Sequence, residues 1–179
     1  MIEIKPKIFI TGPPRSGKST LIVKIIEYLK KDFKVYGFIT PEITENNKRK
    51  GFNIVDLYTK KRFPLASVGN YNTNFKVGKY SVFVEDFEVY IKNLLENMEE
   101  ISNSLFCIDE IGKMELYSNI FQEFLKKLFK TSNIIIATIG EKLKHPIKEY
   151  IITQPNVVLF HLNTHNRDEI FTEIVSLLK

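Results

Sequence analysis

Eight residues, Gly12-Pro13-Pro14-Arg15-Ser16-Gly17-Lys18-Ser19, follow the pattern Gly, four residues, Gly-Lys-Ser. This spacing captures anions. Glycines at both ends let the chain turn tightly and bring backbone N–H groups against a phosphate. A helix that follows adds its free N–H groups and the positive end of its dipole. Lys18 is placed to reach the β- and γ-phosphates of a nucleotide, and the Ser19 hydroxyl to bind Mg²⁺. The expected nucleotide-binding set is Gly12, Pro13, Pro14, Arg15, Ser16, Gly17, Lys18, Ser19 and Thr20.

A second chemical pattern stands at Leu105-Phe106-Cys107-Ile108-Asp109-Glu110, an apolar run ending in acid. The run is suited to a buried strand with Asp109 emerging at its C-terminal edge, where it can hold the shell of the Mg²⁺ ion beside Ser19. Glu110, next in line, can orient and deprotonate a water aimed at the γ-phosphate. Asp109-Glu110-Ile111-Gly112 also fits the Asp-x-x-Gly pattern of switch GTPases, but no Asn-Lys-x-Asp guanine-reading motif follows, which disfavours a switch. Thr138 ends the next apolar run; it can sense the γ-phosphate or cap the following turn. His161 alternates with apolar residues and reads as structural, His145 precedes Pro146 in a loop, and Cys107 reads as core.

The elements that must position these groups alternate strand and helix, which predicts a mainly parallel sheet covered on both faces. Lys7–Thr11 is a short apolar strand, and Thr20–Leu29 has helical apolar spacing. Lys34–Thr40 is a second strand. Residues 41–84 have another texture and read as an antiparallel β insertion beside the main sheet. In it Glu45–Gly51 is turn-like, Phe52–Tyr58 and Arg62–Ala66 are strands about a Thr59–Lys61 turn, and Tyr80–Val84 closes the insertion. Asp86 is the expected cap of a helix running to Met98. Ser104–Asp109, Ile134–Thr138 and Val157–Leu162 are the remaining strands. Ser118–Phe129 and residues 166–178 are the remaining helices.

The length of 179 residues suits one domain spanning 1–179, with the insertion inside it. A hydrophobic share of 44% excludes a disordered chain, and no apolar run is long enough to span a bilayer. Met1–Pro6 lacks a signal-peptide layout. The one cysteine excludes an internal disulfide and a Cys-rich metal site. A cytoplasmic monomer is expected. The net charge of +5 is spread over scattered lysines, with arginine only at positions 15, 49, 62 and 167, so a solvated surface is favoured over a nucleic-acid patch.

Taken together the motifs resemble the THEP1-type nucleoside-triphosphatases, called cancer-related nucleoside-triphosphatases in animals. The matching segments are Ile10–Gly12 through Ser19–Leu21, Gly37–Thr40 with Glu42, Arg49–Phe52, and Val77–Tyr80. The most discriminating are Asp109-Glu110-Ile111-Gly112-Lys113-Met114-Glu115-Leu116, with Ser118 and Phe121 after it, and Asn166-Arg167-Asp168. The resemblance implies a three-layer α/β sandwich of the P-loop NTPase kind that slowly hydrolyses ATP, GTP and other nucleoside triphosphates with Mg²⁺. It implies that Asp109 holds the metal, that Glu110 is the base, and that Asn166 and Arg167 border the nucleotide. The chain departs from many relatives at Thr44 and Lys142, where those carry arginine. Arg49, Arg167 or a lysine such as Lys142 is then left to stabilise transition-state charge, a lysine with a less suitable geometry.

Three uses of the phosphate fit these residues. Water is the acceptor if Glu110 is the base. A small kinase would pass the phosphate to a nucleotide, small molecule or polynucleotide. A partner-gated or RNA-associated ATPase would use hydrolysis for timing. The segment Gly140–Gln154, where a kinase lid would lie, carries Lys142, Lys144 and Lys148 but no arginine. Hydrolysis is therefore the favoured reading. Strand order discriminates further: a strand between the phosphate-loop strand and the Asp109 strand fits the Glu110 mechanism, and direct adjacency fits a kinase.

Overall fold

The computed structural model describes residues 5–179; Met1–Ile4, part of the N-terminal stretch read above, lie outside the described residues. In chain order the elements are β1 (Lys7–Thr11), α1 (Lys18–Leu29), β2 (Val35–Ile39), β3 (Glu42–Glu45), β4 (Lys48–Asp56), β5 (Arg62–Val68), β6 (Lys76–Val77), β7 (Tyr80–Val82) and α2 (Val84–Glu96). They continue with β8 (Leu105–Ile111), a 3₁₀ turn (Glu115–Tyr117), α3 (Asn119–Phe129), β9 (Ile134–Ile139), α4 (Pro146–Ile152), β10 (Val157–His161) and α5 (Arg167–Leu178).

All strands join one sheet in the order β10-β1-β9-β8-β2-β4-β5-β7-β6, with β3 paired to β4. The stretch from β10 to β2 is parallel throughout. From β4 onward the pairing is antiparallel. Alternating side chains build two cores. Ile8 and Ile10 of β1, Leu105 and Cys107 of β8, and Ile136 of β9 meet Leu21, Ile22 and Ile25 of α1 and Ile170 and Ile174 of α5. Phe9, Phe106, Ile108 and Ala137 point the other way, against Phe87 and Ile91 of α2, Phe121 and Phe124 of α3, and Ile147 and Ile151 of α4. Burial on both faces explains why these strands read as continuous apolar runs. The result is the three-layer α/β sandwich that was expected.

The insertion differs from its sequence reading in three places. It is not beside the main sheet but an extension of it, because β4 pairs with β2 at Phe38↔Asp56 and Ile39↔Val55. The Glu45–Gly51 turn shrinks to two residues. Asn46 and Asn47 take φ of 49° and 57°, which closes a hairpin with Glu45 opposite Lys48 and frees Lys48–Gly51 to join β4. Tyr80–Val84 ends as a strand at Val82, and α2 starts at Val84, so Asp86 lies in the first helical turn and is not the cap. Burial decides this: Val84, Phe87, Ile91 and Leu94 form the inward stripe of α2, and the stripe begins at Val84. Glu85 and Asp86 then sit where the helix dipole favours acid.

Elsewhere boundaries move by a residue or two, and α4 is an addition. His145 precedes its first residue, and its Nδ1 accepts from Ile147 N at 3.1 Å, with Pro146 at the first helical position. Among the described residues no helix is long and apolar enough to cross a membrane.

Candidate active site

The phosphate loop runs from the end of β1 into α1. Gly17 takes a left-handed φ of 96° at the helix cap and no side chain caps the helix, so its first N–H groups are left for a ligand. Ser16 N donates to Pro13 O at 3.2 Å, which closes the loop. Lys18 Nζ folds over it, donating to Gly12 O at 2.9 Å and Pro13 O at 3.1 Å. Thr11 Oγ1 and Ser16 Oγ are buried without a hydrogen-bond partner. Unpaired hydroxyls are costly unless something fills the cradle beside them, and an anion with its counter-ion does so. Pro13, Pro14, Arg15, Ser19 and Thr20 are exposed.

β8 delivers the acids. Its register with β9 shifts between Ile108 and Ile111, so Asp109 and Glu110 together face Thr138. Such a bulge re-aims side chains at a strand end. Asp109 is held from both neighbouring strands. Thr138 Oγ1 of β9 donates to Asp109 Oδ1 at 2.6 Å, and Thr40 Oγ1, just past β2, donates to Asp109 O at 2.7 Å. Burial pushes the Asp109 carboxyl above its ordinary range, while hydrogen bonds from Thr138 and Ser19 and the charge of Lys18 oppose the shift. Glu110, half-buried, is pushed up by burial and then by Asp109, against the pull of Lys18. Lys18, Ser19, Asp109 and Glu110 thus share one electrostatic neighbourhood.

Ser19 and Asp109 supply hard oxygen donors. Among the described residues no group of three or more His, Cys, Asp or Glu could hold a metal. That donor set suits Mg²⁺, which takes one or two carboxylates and fills its remaining positions with phosphate and water.

The other expected residues divide. Arg167 reaches the loop: a Cβ built on Gly17 would stand 3.8 Å from its Nη1. Asn166 precedes Arg167, and its amide is turned into the 161–166 loop, accepting from Asn163 N at 2.8 Å and donating to His161 O at 2.9 Å. Thr138 grips Asp109, whereas its sequence position suggested a phosphate sensor or a cap. Arg49 pairs with Glu42 and lies 5.5 Å from the Phe52 ring, opposite Thr44 on the β3–β4 hairpin. Lys142 is exposed in the connection before α4. Lys148 of the same segment is held by Gly140 O at 3.0 Å and Glu141 O at 2.8 Å.

Sequence reasoning missed Thr40, Asn163 and Glu115. Glu115 is 4% exposed, with Oε2 accepting from Gly112 N at 3.1 Å. Burial, followed by the charge of Glu110, pushes its carboxyl up to about 8. Its placement between Met114 and Leu116, in the run from Asp109 to Leu116, was the available signal.

Sheet, loop and acid strand together define an enzyme of the P-loop NTPase class. Known proteins narrow the class. A family model described as NTPase matches residues 7–175. The nucleoside-triphosphatase THEP1 of Thermotoga sp. (strain RQ2) is 38% identical over 174 residues, covering 97% of this chain and 95% of that protein. The cancer-related nucleoside-triphosphatase homolog of Mus musculus is 34% identical, covering 96% of each. The crystal structure of THEP1 from the hyperthermophile Aquifex aeolicus superposes with a TM-score of 0.81 at 35% identity, over 97% of this chain and 99% of that one. The chain belongs to the THEP1 family of nucleoside-triphosphatases.

Proposed function

We propose that the chain hydrolyses nucleoside 5′-triphosphates, ATP and GTP among them, to the diphosphate and phosphate with Mg²⁺, slowly when isolated. One observation carries this reading: β9 stands between β1 and β8. With strands about 4.8 Å apart, the acid strand lies about 10 Å from the phosphate-loop strand. That gap leaves room for a water between Glu110 and a γ-phosphate seated on the loop.

N–H groups of residues 15–19 and the Lys18 ammonium neutralise the β- and γ-phosphates. Ser19, and Asp109 through the ion's water shell, would hold Mg²⁺, which would supply charge withdrawal at the phosphates. Thr138 and Thr40 keep Asp109 aimed at that place. Glu110 takes a proton from the water as its oxygen attacks the γ-phosphorus, and the bond to the bridging oxygen breaks. Arg167, beside Gly17, borders the nucleotide near the start of α1.

Slow turnover is expected because Arg49 is engaged by Glu42 and Arg167 lies at the helix start. An arginine at the transferring phosphate typically adds about 10³–10⁵ in rate. Transfer to a second substrate gains no support, since the phosphate-loop strand β1 and the acid strand β8 are not adjacent. A cytoplasmic monomer fits the reading.

Phosphate release from ATP, GTP, CTP and UTP with Mg²⁺ and no acceptor tests the proposal. Steady turnover on more than one nucleotide is expected. Lys18→Ala should weaken nucleotide binding roughly 10–100-fold, the loss of a charge-assisted contact. Tight nucleotide binding with no phosphate release would point instead to a kinase or a partner-gated ATPase.

A further inference from the structure

Two carboxyl groups converge on Gly112. A Cβ built there would lie 2.9 Å from Glu110 Oε1, 3.3 Å from Glu110 Cγ and 3.1 Å from Glu115 Oε2. The backbone adds a second tie: Glu115 Oε2 accepts from Gly112 N at 3.1 Å, while Leu116 N donates to Gly112 O at 3.0 Å. The chain leaving β8 is therefore folded back on itself within five residues of Glu110, and the Glu115 carboxyl is the group inside the fold. The far side of the same turn is anchored as well. Tyr117 Oη donates to Lys76 O at 2.6 Å and its ring lies 5.1 Å from Phe75, while Ser118 Oγ donates to Glu88 at 2.8 Å.

We propose that Glu115 is a positioning residue for the reaction: its buried carboxyl fixes the Gly112 turn, and the turn in turn sets the side chain of Glu110. The proposal rests on the reading of Glu110 as the base. Three features support it. A Glu buried to 4% exposure is expensive, and a Leu or Met there would pack without that cost. Its acceptor satisfies an N–H that would otherwise be orphaned inside the protein. The missing side chain at 112 lets Glu110 lie directly against the turn that Glu115 holds. Burial pushes the Glu115 carboxyl up to about 8, and glutamine is its close neutral isostere.

The test compares Glu115→Leu, Glu115→Gln and Glu115→Asp in the full chain, with kcat and KM for ATP and separate nucleotide-binding and thermal-melting measurements. Glu115→Leu keeps volume but loses the acceptor. It is expected to lower kcat by roughly 10–100-fold, the cost of misplacing a reacting group by about 1 Å. KM and nucleotide affinity should stay within about threefold, because phosphate capture lies on the other strand. Glu115→Gln restores the acceptor and should return kcat to within about threefold of the parent. Glu115→Asp, one methylene short, should resemble Glu115→Leu and serves if that variant fails to fold. In a Glu110→Gln background Glu115→Leu should cause no further loss, since the positioned group is already gone. Parent-like kcat in folded Glu115→Leu or Glu115→Asp overturns the proposal, as does a Glu115→Gln variant as slow as Glu115→Leu. Parent-like turnover in Glu110→Gln alone overturns the assignment of the base, a separate failure.

Discussion

Glu110→Gln is expected to bind nucleotide with unchanged or slightly tighter affinity and to lose about 10²–10⁴-fold in kcat. The amide has the shape of the carboxylate but cannot accept a proton from water at neutral pH. The parts that grip phosphate are untouched. They are the uncapped start of α1, Lys18 over the loop, and Ser19 with Asp109. Removing one negative charge beside the phosphates relieves repulsion, so affinity should not fall. Burial and then the charge of Asp109 push the Glu110 carboxyl above its ordinary range, the direction that strengthens it as a base. Phosphate release and equilibrium nucleotide binding, measured on the same preparation, separate the two effects. Turnover at the parent rate would move the base elsewhere.

Gly37→Ala should destabilise the fold by at least about 3 kcal/mol. That corresponds to a fall of at least about 6–12 °C in melting temperature for a chain of this size. Gly37 lies in β2 directly opposite Cys107 of β8, with φ at 104°. An added Cβ would stand 1.9 Å from Cys107 O and 2.9 Å from Cys107 C and N. Those atoms are backbone in the middle of a parallel ladder and have no rotamer by which to yield. The position also carries traffic from the insertion, since Gly37 O accepts from Leu57 N at 2.9 Å and from Tyr90 Oη at 3.2 Å. Chemical denaturation read by far-UV circular dichroism gives the midpoint. An unchanged midpoint would contradict the close approach of β2 to β8.

The parts legible in the sequence were those governed by local rules. The Gly-x₄-Gly-Lys-Ser spacing located the loop, because an anion cradle needs glycine where the backbone must turn. The apolar run ending at Asp109 located the acid strand, because a strand buried on both faces has no polar positions to spare before its edge. What remained hidden depends on residues far apart in sequence. Thr138 reads in sequence as a sensor or a cap, and its contact with Asp109 exists only because β9 lies beside β8. Thr40 showed no side-chain signal, since its partner is a backbone carbonyl 69 positions away. Arg49 offered a charge, and only the β3–β4 pairing revealed that Glu42 engages it. The start of α2 was misplaced because Asp86 satisfied a capping rule while Val84 satisfied a packing rule, and burial won.

Cys107, the chain's one cysteine, is fully buried on β8 two positions before Asp109. Burial pushes its thiol well above the ordinary cysteine range, so the nucleophilic thiolate is scarce in the folded protein. Nature has thus left a clock inside the strand that carries the acids. A thiol reagent reaches Cys107 only when β8 parts from its neighbours. The labelling rate therefore times the opening of that strand without any engineered probe, and bound nucleotide, by stabilising the closed form, should slow it.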